Sequence, residues 1–160
     1  MEIKKILIAI DYHPSAQMVA EAGYLLAQSV QAKPVLLHVT ANPAYYATLD
    51  YSPIMGFAGF NNLDILHKDD TDELMRSAQY YLNKTKSHLG DEQMETLVKS
   101  GNIADTILET AKEINAYAIV MGTHSRSGLE KVLVGSVAKL VLEQSEVPLF
   151  IIPTKNYKDV

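Results

Sequence analysis

The run Lys5-Ile6-Leu7-Ile8-Ala9-Ile10-Asp11 decides the fold, because it is continuously apolar where a half-exposed strand would alternate. A strand of this kind is covered on both faces, as in a parallel sheet flanked by helices. Pro14 and Ser15 then open a helix, and its apolar residues between Val19 and Val30 fall on one stripe of a 3.6-residue period. A second apolar strand, 34–39, follows after roughly 30 residues, which is the usual size of one βαβ unit.

The same alternation continues to the end of the chain. Helical patterns start at Asp72, after Gly101-Asn102 and near Gly135, and they are separated by apolar strands at 94–99, 117–121 and 148–152. This order predicts an α/β fold, an open five-stranded parallel sheet with helices on both faces, of the doubly wound Rossmann-like type. We expect one domain over residues 1–153 and a polar tail over 154–160.

Residues 41–71 interrupt this rhythm. The segment has no clear period and contains two prolines, two glycines and several tyrosines and phenylalanines. A connection of this length is uncommon inside a compact domain. It is compatible with a flap over a site, with an interface element and with plain disorder.

Composition excludes several classes of partner and chemistry. The chain of 160 residues has 14 basic and 19 acidic side chains and a net charge of −5, which argues against nucleic acid or an anionic membrane as the main partner. It has no cysteine, so disulfides and thiolate metal sites are excluded. The apolar run at the N-terminus is too short for a signal sequence or a membrane span, and we therefore expect a cytoplasmic protein.

The loop from Gly122 to Ser136 is the strongest candidate for a binding site. It follows a buried strand, and ligands of open parallel sheets bind beyond the carboxyl ends of the strands. Gly135-Ser136 at a helix start would offer unpaired amides and a hydroxyl to a phosphate. The same residues are equally typical of a plain turn and a helix cap. The loop is neither a Walker A motif nor a Gly-x-Gly-x-x-Gly fingerprint.

The spacing of this loop resembles the signature of the universal stress protein family. That signature is Gly, two residues, Gly, nine residues, Gly and then Ser or Thr; here Gly122, position 125 and Gly135-Ser136 fall at those places. Asp11 at the end of strand one, the Leu-Leu-His38-Val39 stretch and the Val-Pro148 step are similar as well. The resemblance covers residues 4–153 and implies an adenine-nucleotide hydrolase-like fold.

The resemblance also implies a nucleotide site, since an intact signature marks the family members that bind ATP. Asp11 and the two residues before it would meet the adenine and ribose, the Val39 backbone would pair with the adenine edge, and Met121 and Gly122 would line the ribose. Position 125 and the start of the last helix would hold the phosphates. The implied binding residues are Ala9, Ile10, Asp11, Val39, Met121, Gly122, Ser125, Arg126, Gly135, Ser136 and Val137.

The chain departs from the family pattern at Ser125, where the signature has glycine. If this position needs a positive φ, serine costs on the order of 1 kcal/mol. Its hydroxyl could instead contact a phosphate. Arg126 either reaches a phosphate or is simply solvated.

The remaining polar residues favour structural roles. His38 lies within a buried strand, so we expect a core histidine with satisfied polar atoms rather than a ligand or base. The five histidines form no i, i+4 pair, which argues against a metal site. Ser136 has no evident histidine and acid partner for nucleophilic catalysis.

These observations favour a small stress-response protein that binds ATP or AMP as a regulatory ligand, with Mg²⁺ carried by the nucleotide and at most slow, incidental hydrolysis. The alternatives are a dimeric interaction protein of the same fold with no nucleotide, and an enzyme of the related hydrolase-like folds. We expect a homodimer through the last strand, 148–152, whose uncharged edge would otherwise be exposed. A further, unidentified protein partner is compatible with the sequence.

Overall fold

The computed structural model describes residues 2–41, 71–123 and 134–154. Nine elements follow one another in this part of the chain. The strands are β1 (Lys5–Ala9), β2 (Lys33–Thr40), β3 (Glu95–Ser100), β4 (Ala118–Gly122) and β5 (Leu149–Ile152). The helices are α1 (Ala16–Ser29), α2 (Thr71–Leu89), α3 (Ile103–Glu113) and α4 (Ser136–Gln144).

The five strands form one parallel sheet in the order β3-β2-β1-β4-β5. The chain moves outward from β1 through β2 to β3, then crosses back to β4 and β5 on the other side of β1. The strand order therefore reverses between β1 and β4, and the crevice at their carboxyl ends is the usual ligand site of such sheets. The predicted five-stranded α/β fold is confirmed.

Two apolar layers hold the helices against the sheet. Successive residues of β1 point to opposite faces, so that Ile6 and Ile8 pack under α1 and α2 while Leu7 packs under α3 and α4. All three side chains are at most 1% exposed. The continuous apolar run that decided the prediction is thus explained by burial on both faces.

Helix α1 approaches the sheet closely at Gly23. A Cβ atom there would lie 2.8 Å from Cγ1 of Ile8, so any larger residue would push the helix away. The expected apolar stripe was wrong at its end, because Val30 follows the helix and is exposed, whereas Ala20 and Ala27 are fully buried. The small side chains face the sheet since Gly23 has already brought the backbone near.

Only the first residue of the predicted insertion, Ala41, and the last, Thr71, lie within the described residues. The alternatives for this segment, a flap, an interface element or disorder, therefore lie outside what the structure describes. Within the described ranges, no helix is long and apolar enough to cross a membrane.

Candidate nucleotide site

A cleft opens at the crevice between the ends of β1 and β4. Its volume is about 90 Å³, several times the ~10–15 Å³ that one water molecule needs. Eight of the eleven residues implied by the sequence line it, namely Ala9, Ile10, Asp11, Val39, Met121, Gly122, Gly135 and Val137. Ser136 stands at the start of α4 and is exposed, while Ser125 and Arg126 lie outside the described residues.

The corner between β1 and α1 forms one wall of the cleft and is fixed by its own hydrogen bonds. Oδ1 of Asp11 accepts from the backbone N–H of His13 at 3.0 Å, and Nδ1 of His13 accepts from the backbone N–H of Ser15 at 3.1 Å. The Ser15 hydroxyl lies 2.7 Å from the same Nδ1. From α2, the Tyr81 hydroxyl donates to the Asp11 carbonyl. The direction of the Asp11 side chain is therefore set before any ligand arrives.

Asp11 is an unusual carboxyl. Desolvation by burial raises its pKa to about 7, although the hydrogen bond from His13 acts in the opposite direction. Near neutral pH the group exists in both protonation states. The charged form accepts hydrogen bonds from ligand hydroxyls, and a donor such as a ribose hydroxyl would favour that form.

Three rings, those of Tyr12, His38 and Tyr81, pack together at the β2 side of the cleft. The His38 ring centroid is 4.2 Å from that of Tyr12 and 5.9 Å from that of Tyr81. His38 is 3% exposed, and its Nδ1 donates to the Ile10 carbonyl at 2.9 Å. Its Nε2 is buried and has no hydrogen-bond partner among the described residues. The expectation of a fully satisfied core histidine was therefore wrong at one nitrogen.

The ends of the Gly122–Ser136 loop are held together at the β4 side of the cleft. The Gly135 N–H donates to the Thr123 carbonyl at 2.7 Å, and the Thr123 N–H donates to the Ile152 carbonyl at 3.0 Å. The expectation that Gly135 would offer an unpaired amide was thus wrong, because this amide closes the base of the loop. Gly122 is closely packed, since a Cβ there would lie 3.1 Å from side-chain carbons of Val19 and Thr154, which would have to shift to admit it.

Thr154 joins the hydrogen bonds that hold the ends of the loop together. It is 5% exposed, its N–H donates to the Thr123 hydroxyl at 3.0 Å, and the two hydroxyls are 3.1 Å apart. Thr154, the first residue of the predicted polar tail, is thus buried, and residues 155–160 lie outside the described ranges. The Thr154 side chain can be buried here because its hydroxyl pairs with that of Thr123, the residue that follows β4.

The amides open to a ligand come from the next three residues. The N–H groups of Ser136, Val137 and Ala138 form the first turn of α4 and make no hydrogen bond to any described residue. Gly135, the N-cap residue, has no side chain that could cap these amides, and the first turn of α4 holds no acidic residue. Val137 and Ala138 line the cleft. The positive end of the α4 dipole is therefore left uncompensated within the described part of the chain.

A second helix begins at the same cleft. Ser15 and Ala16 at the start of α1 both line it. α1 also has no side-chain cap hydrogen bond and no acidic residue in its first turn. Two helix N-termini thus face one cavity, but the N–H groups of Ser15 and Ala16 already donate to His13, so that α1 contributes its dipole rather than open amides.

Several residues that line the cleft were not expected from the sequence, among them Tyr12, Ser15, His38, Thr123 and Thr154. A signal existed for Thr123 and Thr154, because residues that follow neighbouring parallel strands meet at one edge of the sheet. Tyr12 likewise follows the end of β1. Within the described ranges, no three histidine or acidic side chains are grouped as a metal site would require.

Comparison with known proteins gives one consistent answer. The family model described as the universal stress protein family matches residues 2–153. The chain is 24% identical to the universal stress protein MJ0577 of Methanocaldococcus jannaschii over 156 residues, covering 96% of each chain. It is 29% identical to the universal stress protein YxiE of Bacillus subtilis over 150 residues, covering 92% of this chain and 97% of the relative.

Solved structures share the fold. The structure of MJ0577 aligns with a TM-score of 0.72 at 20% identity and covers 98% of this chain and all of that one. A universal stress protein in complex with cAMP aligns with a TM-score of 0.60 at 19% identity, covering 97% of this chain and all of that one. At these identities the likeness establishes the fold.

Proposed function

Because the chain belongs to the universal stress protein family, we propose that its cleft binds an adenine nucleotide, ATP or AMP, as a regulatory ligand in the stress response. The observation that carries the proposal is the meeting of open α4 amides with the ends of β1, β2 and β4 in one cavity. A cAMP complex of a protein with this fold supports it, since a nucleotide occupies that relative.

The phosphates would bind at the start of α4. The N–H groups of Ser136, Val137 and Ala138, which are unpaired among the described residues, would donate hydrogen bonds to them, and the α4 dipole would add a favourable field. The Thr123–Gly135 hydrogen bond fixes where the helix begins. Mg²⁺ would enter with ATP, coordinated by phosphate oxygens.

The ribose and base would extend from there across the ends of β1 and β2. Asp11 lies midway and offers its carboxylate to the ribose hydroxyls. Val39 follows on β2, and the apolar side chains of Ile103 and Ile107 from α3 line the cleft nearby. The polar groups are few and the surrounding wall is apolar, as is usual for small-molecule sites.

The proposal assigns no dedicated catalytic residue. Asp11 is the one acidic side chain among the described residues that line the cleft. His38 is a poor proton acceptor, because burial lowers its pKa to about 4. Any ATP hydrolysis would therefore be slow and incidental.

The direct test is to precipitate purified protein with acid and to identify nucleotides in the supernatant by chromatography. The proposal predicts an adenine nucleotide approaching one per chain, or micromolar ATP binding by calorimetry if the nucleotide is lost during purification. Absence of both contradicts it and favours the alternative of an interaction protein without nucleotide.

A second candidate function, dimerisation through β5, can coexist with nucleotide binding or replace it. β5 lies at one edge of the sheet, and Phe150 on it is 42% exposed. Exposed apolar edges of this kind are normally covered by a partner, and a second copy would satisfy both edges about a two-fold axis. We propose a homodimer formed in this way.

Light scattering at micromolar concentration tests the dimer. We expect twice the mass of one chain for the unmodified protein and one chain's mass for Phe150→Glu, which would place two charges in the interface. Leu25→Glu is the matched control, because Leu25 is 62% exposed on α1 and should leave the dimer intact. A monomeric unmodified protein would contradict the proposal.

A further inference from the structure

Thr123 joins three elements of the fold beside the cleft. Its N–H donates to the Ile152 carbonyl at the end of β5 at 3.0 Å, and its own carbonyl accepts from the Gly135 N–H at 2.7 Å. Its hydroxyl oxygen accepts from the Thr154 N–H at 3.0 Å. The start of α4 is therefore attached, through one residue, to the ends of β4 and β5.

Thr154 holds this junction from the β5 side. Its hydroxyl lies 3.1 Å from that of Thr123, and its methyl carbon would lie 3.1 Å from a Cβ at Gly122. The hydroxyl therefore acts on the residue after β4, and the methyl group packs near the last residue of that strand. The two groups can be removed separately, because valine keeps the methyl group and serine keeps the hydroxyl.

Helix α4 has few buried side chains of its own to fix its position. It is nine residues long and buries Ala138 and Val141, whereas α3 buries five of its eleven residues. The Gly135–Thr123 hydrogen bond is therefore important for where α4 begins. A binding site needs its groups held within about 0.5 Å of the productive geometry. The open amides of α4 thus depend on what keeps Thr123 in place.

We propose that Thr154 is a positioning residue for the phosphates, because its hydroxyl, paired with that of Thr123, holds the first amides of α4 where a phosphate can reach them. The inference rests on the proposed nucleotide function and adds a residue that acts through Thr123 and Gly135. Loss of the hydroxyl should weaken binding of the phosphates and spare binding of the nucleoside. A residue needed only for stability would affect both in the same way.

The test compares ATP with adenosine, which has no phosphates, by calorimetry. Thr154→Val removes the hydroxyl and keeps the methyl group, and Thr154→Ser does the reverse. Thr85→Val is the matched control, because Thr85 is 2% exposed and its hydroxyl donates to the Tyr81 carbonyl within α2, on the opposite face of the sheet from α4. Thermal unfolding verifies that each variant is folded.

We expect Thr154→Val to bind ATP roughly fivefold more weakly, the effect of one hydrogen bond, while its adenosine affinity stays within about twofold. Thr154→Ser and Thr85→Val should keep the ratio of the two affinities within about twofold of that of the unmodified protein. An unchanged ratio in Thr154→Val, or an equal fall in either other variant, would overturn the inference. If the unmodified protein binds no ATP, the proposed function fails first and the inference fails with it.

A hydrogen-exchange measurement needs no variant and so does not depend on whether the variants fold. If the junction favours phosphate binding, phosphate binding must favour the junction by the same free energy. Amide exchange at Thr154 and Gly135, followed by NMR, reports how often their hydrogen bonds open. At saturation we expect ATP to slow both amides about threefold more than adenosine does, with Asp105 in α3 responding equally to the two ligands. Equal slowing of Thr154 and Gly135 by both ligands would overturn the inference.

Discussion

Helices α3 and α4 begin at the same end of the sheet and pack on the same face, but their first turns are built differently. At α3, the Asn102 side chain accepts from the N–H of Asp105 at 3.0 Å, and Asp105 adds a negative charge to the first turn. At α4, Gly135 offers no side chain and the first turn has no acid. One helix therefore satisfies its own N-terminus, and the other leaves its first N–H groups unpaired among the described residues.

The start of α3 thus serves stability, whereas we propose that the start of α4 serves binding. A side-chain cap is worth about 1 kcal/mol, so its absence at α4 lowers stability where a cap would have been easy to supply. A phosphate would satisfy the same amides and recover that free energy on binding. This interpretation makes the missing cap the central feature of the site.

Gly135→Val should have the largest effect, because it blocks the open start of α4. Gly135 has φ −66° and ψ 163°, an extended conformation that valine adopts readily, so the fold should survive. The branched side chain would occupy the space next to the α4 amides. We expect ATP affinity to fall more than 100-fold, equivalent to about 2.7 kcal/mol, by calorimetry.

Gly135→Ala provides the graded control, since it adds one methyl group and should give a smaller loss. Thermal unfolding of both variants verifies that the protein is folded. Undiminished ATP affinity in folded Gly135→Val would show that the phosphates do not bind at α4.

Ser136→Asp makes the start of α4 resemble that of α3. A carboxylate in the first turn compensates the dipole and should raise the unfolding free energy by about 0.3–1 kcal/mol. The same charge repels a phosphate, and we expect ATP to bind about tenfold more weakly. We therefore expect a higher free energy of unfolding together with a lower ATP affinity. An increase in both would show that the added carboxylate and the phosphate do not compete for the same amides.

Ser125→Gly restores the family residue at the one departure from its signature. If serine is only tolerated there, glycine relieves strain and crowding, and ATP binding tightens by up to about tenfold. If the hydroxyl contacts a phosphate, binding weakens by about 0.5–1.5 kcal/mol instead. We expect the tighter binding, measured by ATP titration.

Ser127→Gly is the matched control for this change, because it adds the same backbone freedom to the same loop outside the signature. An equal gain in both variants would assign the effect to loop flexibility. Weaker binding by Ser125→Gly would reverse our expectation for this position.

Asn102→Ala gives the smallest effect and tests the other half of the comparison. Loss of the cap should destabilise the protein by about 1 kcal/mol in chemical denaturation. ATP affinity should remain within about twofold, since the α3 cap acts within the fold. A large loss of affinity would mean that α3 also holds the ligand.

The sequence predicted the fold because its strongest signals are local. The apolar run 5–11 and the later strands required burial on both faces, and the structure confirms the five-stranded parallel sheet. The end of the α1 stripe was wrong at Val30, where close packing at Gly23 decides which residues face the sheet. Such packing depends on distances that spacing in the sequence does not encode.

The site was less predictable, because its key polar atoms are defined by partners far apart in the chain. Gly135 was expected to bind a phosphate through its amide, yet that amide closes the loop to Thr123. His38 was expected to be satisfied, and only the structure shows that Nδ1 pairs with Ile10 while Nε2 has no partner among the described residues. Ser125 and Arg126 remain predictions, outside the described residues.

The most direct test of the central claim is to follow backbone amide resonances by ¹⁵N NMR while ATP is added. The account predicts that Ser136, Val137 and Ala138 at the start of α4 shift strongly with ATP and much less with adenosine, which has no phosphates. Asp105 in the capped first turn of α3 should stay in place with both ligands. Equal shifts of the α4 amides with ATP and adenosine, or shifts at α3 in their place, would contradict the claim that α4 is left open for phosphate.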